Sequence, residues 1–215
     1  MKRAIIKVLH ETETQLSGQS AVATYGYMML CVKAEEIALL PVSINIEGEE
    51  KYLEEVASVV KPDDYTFIVI PHFDEDLVAV KSGIHAQYPA FKLEVETKTV
   101  DVYDKNNENK PIRVPVKYLK VTMPSVDDDR QKELKEDADK IYEQCKSRMA
   151  TTCNSAKAKI DILLKNESDD VKNEALDSFA ATKKKWTEHR DKVYGEKIKE
   201  INTGHDKWQL EEAQH

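Results

Sequence analysis

The chain is poor in the residues that build disulfide frameworks, metal centres and phosphate loops. Its 215 residues include only three cysteines and six glycines. Cys31, Cys145 and Cys153 fit no metal-ligand spacing, and their odd number argues against a disulfide framework. The six histidines are dispersed along the sequence, and no Gly-rich phosphate loop is present. We therefore expect no metal, no cofactor and no catalytic site, and nothing in the sequence supports an enzyme.

Long apolar runs are also missing. No segment approaches the roughly 18 apolar residues that a membrane-spanning helix needs, so we expect no membrane partner. The N-terminus has too short an apolar run for a secretory signal. The first predicted helix begins almost at Met1 and leaves no room for a transit peptide. A cytoplasmic protein is therefore expected, with the mitochondrial matrix as the alternative if the N-terminus has been trimmed.

The negative charge is placed unevenly along the sequence. The net charge is -8, and residues 34–124 hold 10 Lys and Arg against 17 Asp and Glu. The rest of the chain is nearly balanced, with 22 basic against 23 acidic residues. Nucleic-acid binding is therefore a poor expectation for the whole chain. It stays possible for a locally basic face of the part outside the acidic middle.

Three segments have the apolar spacing of long helices, alternating between three and four residues. The clearest is 127–166, which contains no proline or glycine. Its predicted seam is Leu134, Ala138, Ile141, Cys145, Met149, Thr152, Ala156, Ile160 and Leu163. The first segment has Ile6, Leu9, Glu13, Leu16, Ser20, Ala23, Tyr27 and Leu30. The third has Val171, Ala175, Phe179, Thr182, Trp186, Val193, Ile198 and Ile201, and is expected to end at Gly204. Together they predict an elongated three-helix bundle.

The residues between the first two seams follow a different pattern. Alternation at 42–46 and 93–97 and the β-branched run 65–70 predict strands, and 100–114 predicts a hairpin with its turn at 105–109. Two short helices are expected, at 51–59 and 74–85. The predicted fold class is thus α+β. Residues 1–34 and 125–204 form the bundle (domain I), 35–124 form a small inserted α+β domain (domain II), and 205–215 form a tail.

Several segments resemble the ribosome recycling factor family. Gly48 to Val59 resembles that family's GTPTPLRQLASV, and Phe67 to Asp74 resembles the strand and Phe-Asp that follow it. Val121 to Leu134 resembles VPLPPLTEERRKEL, the family's hinge and helix start. Glu143-Gln144 and Leu163-Leu164-Lys165 fall at the corresponding family motifs. These matches are mostly ungapped and occur in the family's order.

The resemblance implies an L-shaped molecule and a role in translation without enzymatic chemistry. It implies a monomer that binds the post-termination ribosome at the subunit interface and contacts large-subunit ribosomal RNA. A translocase GTPase of the elongation factor G type would then promote subunit splitting and release of mRNA and tRNA. The resemblance also places a hinge at Lys33 and at Thr122, Met123, Pro124 and Ser125.

The chain departs from the family where the family contacts RNA. Arginines of its RNVRR motif fall here on Ala150, Cys153 and Asn154. However, the nearby stretch 144–160 contains no acidic residue. Its four cations are Lys146, Arg148, Lys157 and Lys159, and because phosphate contacts need cations without adjacent carboxylates, we predict that they substitute for the arginines. The run Lys183-Lys184-Lys185 could also touch phosphate, although a solvated helix face is the ordinary explanation.

Two other functions are open. The family fold could be retained as a ribosome-associated binding or structural module without recycling activity. The missing arginines, the acidity and about 20 extra residues around 93–114 favour that alternative. An unrelated bundle that scaffolds proteins is the third, and it rests on the acidic middle alone.

Overall fold

The structure is a computed structural model that describes residues 2–102 and 112–214. Six helices and six strands occur in these two ranges. The helices are α1 (Arg3–Met28), α2 (Glu36–Leu39), α3 (Leu53–Val56), α4 (Leu77–Gln87), α5 (Asp128–Leu164) and α6 (Asp169–Glu212). The strands are β1 (Ser43–Ile46), β2 (Glu49–Tyr52), β3 (Ala57–Asp63), β4 (Thr66–Pro71), β5 (Lys92–Val102) and β6 (Ile112–Thr122). A short 3₁₀ helix, Asp74–Asp76, precedes α4. None of the helices in these ranges is long and apolar enough to cross a membrane.

The chain divides into two compact units. The helical unit contains residues 1–30 and 126–215, and the inserted unit contains residues 31–125. The helical unit packs α1, α5 and α6 against one another in all three pairings. The inserted unit contains all six strands and the three short helices. The predicted α+β class, a three-helix bundle with an α+β insertion, is confirmed.

The buried seam of α5 follows the predicted spacing, except that Cys153 and Leu164 are buried in place of Thr152 and Leu163, and Ile141 is only half-buried. Its buried residues are Leu134, Ala138, Cys145, Met149, Cys153, Ala156, Ile160 and Leu164. The helix starts where the acidic residues are concentrated: the Asp127 carboxylate accepts a hydrogen bond from the Arg130 amide at 2.8 Å. Asp128 and Asp129 lie in the first turn, where negative charge favours a helix N-terminus.

The first seam was predicted one residue out of phase at its N-terminal end. Ile5 is buried whereas Ile6 is 51% exposed. Thr12, not Glu13, faces the core, because its hydroxyl donates to the Val8 carbonyl at 2.7 Å and so satisfies its own polar group. Glu13 instead pairs with Lys185 on α6 at 2.7 Å.

Helix α6 extends to Glu212, beyond Gly204, where the sequence predicted a helix end and a tail from residue 205. A glycine that ends a helix adopts positive φ, and among the described glycines only Gly48 does so. The helix continues because His205 is buried and its Nε2 lies 2.8 Å from the Asp128 carboxylate. This contact holds the last turns of α6 against the start of α5.

The inserted unit is built on a four-stranded antiparallel sheet in the order β3-β4-β6-β5. Phe67 and Val69 of β4 and Leu119 and Val121 of β6 alternate into its core and are fully buried. A separate β1–β2 hairpin packs against α4. There Gly83 allows close approach, because a Cβ at this position would lie 2.6 Å from the Ser43 carbonyl oxygen.

The predicted helix at 51–59 is wrong. Only Leu53–Val56 is helical, closed by a Glu55 carboxylate that accepts from the Tyr52 amide at 2.6 Å. The chain then becomes extended, because Val59 and Val60 pair with β4 and their β-branched side chains suit a sheet. The predicted hairpin is present as β5 and β6, paired from Lys92↔Thr122 to Val102↔Ile112. Its predicted turn at 105–109 lies outside the described residues.

Candidate nucleic-acid interface

The four predicted cations of α5 lie on two different faces of the helix. Lys146 and Lys157 are separated by about three turns and point within about 20° of each other, at about 100° per residue. Arg148 and Lys159 form a second pair with the same offset, about 200° away. The buried seam runs between the two pairs. Lys146 lines a cleft between α5 and α6, whereas Lys159 lines a small groove between α5 and α1. The structure therefore does not bring the four cations into one patch.

Two of the four cations have carboxylate partners just outside the acid-free stretch. Lys146 Nζ lies 2.9 Å from Glu143 Oε1, and Lys157 Nζ lies 3.0 Å from Asp161 Oδ1. The hydrogen bond to Glu143 raises the pKa of Lys146. Both pairs are exposed, so each contributes little to stability and can be exchanged for another anion. Within the described residues, Arg148 and Lys159 make no ion pair.

The three positions that align with the family's arginines are not all equally accessible. Cys153 is buried in the seam, and burial raises the pKa of its thiol. Ala150 and Asn154 are exposed and line the cleft between α5 and α6. On the other side of this cleft lie Lys183 and Arg190 of α6.

The lysine run 183–185 does not act as one surface. Lys184 is directed outward, 3.8 Å from Glu188 of its own helix, and Lys185 reaches Glu13 of α1. Lys183 lines the cleft toward α5. Successive residues of a helix point about 100° apart, which separates the three side chains in this way.

Arg190 is a cleft residue that the sequence did not indicate. Its guanidinium lies 4.8 Å from the centroid of the Tyr142 ring and 2.6 Å from Asp191 Oδ1. Burial alone would lower the pKa of Arg190, but the hydrogen bond and charge of Asp191 raise it instead. The Tyr142 hydroxyl donates to the same carboxylate at 2.9 Å, so the arginine is held in a fixed position. The spacing of seven residues from Lys183, two helical turns, is the signal that could have identified it.

The predicted hinge residues lie close to the sheet of the inserted unit. Thr122 is the last residue of β6 and pairs with Thr66. The Met123 amide donates to the Tyr65 carbonyl at 2.9 Å, so the sheet hydrogen bonding extends one residue further. On the other crossing, the Ala34 amide next to Lys33 donates to the Asp64 carbonyl at 2.7 Å. Pro124 and Ser125 follow the last of these bonds.

The described residues contain no group of three or more His, Cys, Asp or Glu side chains that could hold a metal ion. All three cysteines are free thiols and buried. In the cleft between α5 and α6, the cations Lys146, Lys183 and Arg190 lie beside Asn154 and Thr187. Such a set suits the binding of anions.

Comparisons with known proteins identify the family. The family model described as ribosome recycling factor matches residues 28–201. The chain is similar to a solution structure of the ribosome recycling factor, with a TM-score of 0.68 and 17% identity, covering 94% of this chain and 100% of that one. It is also similar to a chain in models of the T. thermophilus ribosome recycling factor and the E. coli elongation factor G bound to the E. coli post-termination complex. There the TM-score is 0.57 and the identity 18%, covering 92% of this chain and 98% of that one. No curated protein matches the chain significantly. Since the family model spans most of the sequence, the chain belongs to the ribosome recycling factor family.

Proposed function

We propose that this protein recycles ribosomes by binding the post-termination ribosome at the subunit interface. Together with a translocase GTPase of the elongation factor G type, it would promote subunit splitting and the release of mRNA and tRNA. The observation that carries this proposal is the match of the family model to residues 28–201. The similar T. thermophilus factor is described with elongation factor G on a post-termination complex, which supports the same pair of partners here.

The dimensions of the helical unit suit a mechanical role. Its longest helix, α6, has 44 residues and is therefore about 66 Å long. Three mutually packed helices resist bending better than a single helix, so a force applied at one end can act at the other. In this proposal the GTPase supplies the energy, and this chain acts as a non-enzymatic lever on the bridges between the subunits.

The two units would have different tasks in this mechanism. The helical unit would contact large-subunit ribosomal RNA through cations of α5, including Lys146, Arg148, Lys157 and Lys159. The inserted unit would swing on a hinge at Lys33 and at residues 122–125 when the translocase acts. We further infer a monomer that works where ribosomes are, in the cytoplasm or the mitochondrial matrix.

A splitting assay tests the proposal. Post-termination ribosomes are incubated with the protein, the cognate translocase and GTP, and subunits are followed by light scattering. We expect splitting that requires all three additions. Ribosomes that stay intact while the protein co-sediments with them would reject recycling and leave only ribosome binding.

A binding module without recycling activity is the second candidate. The observation that favours it is the β5–β6 ribbon: within the described residues, β4 pairs with β6 only at 119–122, so residues 112–118 pair with β5 alone. A two-stranded ribbon is only marginally stable by itself, so this part of the hairpin would gain stability by binding a partner. Deleting residues 100–114 should then abolish ribosome binding, whereas a recycling factor should retain it.

A further inference from the structure

The cleft between α5 and α6 has positive side chains from both helices. Lys146 lies on the α5 side, and Lys183 and Arg190 lie on the α6 side, around a cavity of about 150 Å³. Ala150 and Asn154 line the same cavity. Small side chains at these two positions keep the space between the cations open.

The three cations differ in how much of their charge is already neutralised. Arg190 is held by Asp191 at 2.6 Å, and Lys146 pairs with Glu143 at 2.9 Å. Both carboxylates are more than half exposed, so water screens them. Lys183 makes no ion pair with any residue that the structure describes. Three cations against two screened carboxylates leave the cleft positive.

Hydrogen-bond donors complete the cleft. The Asn154 side-chain amide can donate, whereas the Thr187 hydroxyl is used within α6, where it lies 3.0 Å from the Lys183 carbonyl. Lysine and arginine donate but do not accept, so the lining recognises an anion. Tyr142 beneath Arg190 and Asp191 beside it fix the guanidinium, so little freedom is lost when an anion binds.

We propose that this cleft binds a phosphate group of the RNA backbone, with Lys183 and Arg190 of α6 supplying cations that α5 lacks at Ala150, Cys153 and Asn154. This inference rests on the proposed function for its partner, ribosomal RNA, and it relocates the principal RNA contact from the face of α5 to the cleft. An acidic protein segment would need an extended row of cations, whereas this cavity is short and suits a single phosphate.

The decisive experiment compares two neighbouring lysines. Lys183→Gln removes one of the three cleft cations, and Lys184→Gln removes a charge that is directed outward on a side chain that is 75% exposed. Binding of a fluorescently labelled RNA hairpin is measured by anisotropy over a salt series. We expect Lys183→Gln to weaken binding and to reduce the slope of log K against log salt by about 1, while Lys184→Gln retains the wild-type slope. Equal effects of the two variants would overturn the proposal.

A second variant tests the cavity itself. Ala150→Glu places a carboxylate at an exposed helical position on its lining, where the fold tolerates a glutamate. We expect RNA binding to be lost with an unchanged circular dichroism spectrum, and titration with inorganic phosphate to shift the Asn154 side-chain amide NMR signals in the wild type only. Unchanged RNA binding by this variant would exclude the cleft, and competition by an acidic peptide but not by RNA would reassign it.

The recycling proposal and the cleft proposal can be rejected independently of each other. If wild-type protein splits ribosomes and Lys183→Gln does so equally well, the cleft proposal fails and the recycling proposal stands. If the wild type never splits ribosomes but Lys183→Gln alone loses RNA binding, the cleft is a phosphate site and the recycling proposal fails.

Discussion

The two units of this protein differ in how polar their interiors are. In the helical unit Thr12, Ser20, Lys197 and His205 are buried, whereas in the described part of the inserted unit Thr66 is the only buried polar residue. Each of the helical ones has a partner: Ser20 Oγ lies 2.8 Å from His189 Nδ1, and Lys197 lies 2.7 Å from Glu200. Thr12 and Lys197 have their partners within their own helices, whereas Ser20 and His205 are paired with residues of another helix.

The difference reflects how each unit fixes its register. Long helices that share a repeating seam can slide by one turn and still bury apolar residues, so specific polar pairs help to select one alignment. The Ser20–His189 and His205–Asp128 contacts join different helices and can act in this way. In the inserted unit, the strand ladders and the alternation of Phe67 and Val69 already define the register.

The largest effect should come from the core of the inserted unit. Phe67→Ala removes a fully buried ring and should lower the free energy of unfolding of the sheet by about 3–5 kcal/mol. Met149→Ala in the narrow seam of α5 should cost about 2 kcal/mol, because the surrounding helices can close around the smaller cavity. Hydrogen exchange of the sheet amides measures the first loss.

Tryptophan fluorescence measures the stability of the helical unit separately from that of the inserted unit. Both tryptophans, Trp186 and Trp208, lie on α6, so their fluorescence during urea unfolding reports on the helical unit. A greater loss of stability in Met149→Ala than in Phe67→Ala, each measured in its own unit, would contradict the expectation that the inserted unit, which buries fewer polar residues, depends more on its apolar core.

Two glycine substitutions, one in each unit, should change stability in opposite directions. Gly83→Ala would place a Cβ 2.5 Å from Ile44 Cδ1 and 2.6 Å from the Ser43 carbonyl oxygen, and should destabilise the inserted unit by about 1–3 kcal/mol. Gly195→Ala meets no atom within 4 Å and should stabilise α6 by about 0.5–1 kcal/mol. Thermal unfolding of both variants measures the signs, and stabilisation by Gly83→Ala would show that α4 can shift away from β1 without cost.

The sequence predicts the helical unit better than the inserted one. The buried residues of α5 from Leu134 to Ile160 follow from spacing alone, with Cys153 in place of Thr152 because the helical repeat is 3.6 and not 3.5 residues. Strand β3 could not be found in this way. Its residues follow a short run of helix formers, and only pairing with β4 makes Val59 extended.

The candidate site was only partly accessible from the sequence. The stretch without acidic residues, 144–160, identified Lys146 and Lys157. Their carboxylate partners, Glu143 and Asp161, lie one residue outside its two ends. A lysine reaches carboxylates three or four positions away on a helix, so a linear window cannot decide whether its charge is free. The sequence indicated Lys183 only as part of its lysine run, and choosing Lys183 over Lys184 and Lys185 required knowing which face of α6 meets α5.

Lowering the pH should have a smaller effect on stability, through the carboxyl group of Asp191. The Arg190 and Tyr142 hydrogen bonds outweigh partial burial and lower the pKa of Asp191 in the folded state. A carboxyl whose folded pKa is lowered adds stability above its unfolded pKa, and this stability is lost as the pH falls through the folded value. Asp191→Asn should therefore reduce stability at pH 7 and make it less sensitive to pH between about 5 and 2. Urea midpoints of the two proteins across that range measure the difference, and parallel pH profiles would argue against this role.

Substituting single exposed lysines should change stability least, but it should show the sharpest contrast between the two units in ribosome binding. Lys157→Gln removes an i,i+4 pair with Asp161 that contributes about 0.3–0.5 kcal/mol, and Lys81→Gln removes the same charge from α4 of the inserted unit. Neither substitution should move the unfolding midpoint appreciably. If the helical unit carries the RNA contacts, Lys157→Gln should weaken co-sedimentation with ribosomes and reduce its salt dependence, whereas Lys81→Gln should leave both unchanged. A loss with Lys81→Gln and none with Lys157→Gln would place the contact on the acidic unit, where the excess of carboxylates makes binding to RNA unfavourable and a basic protein would be the better partner.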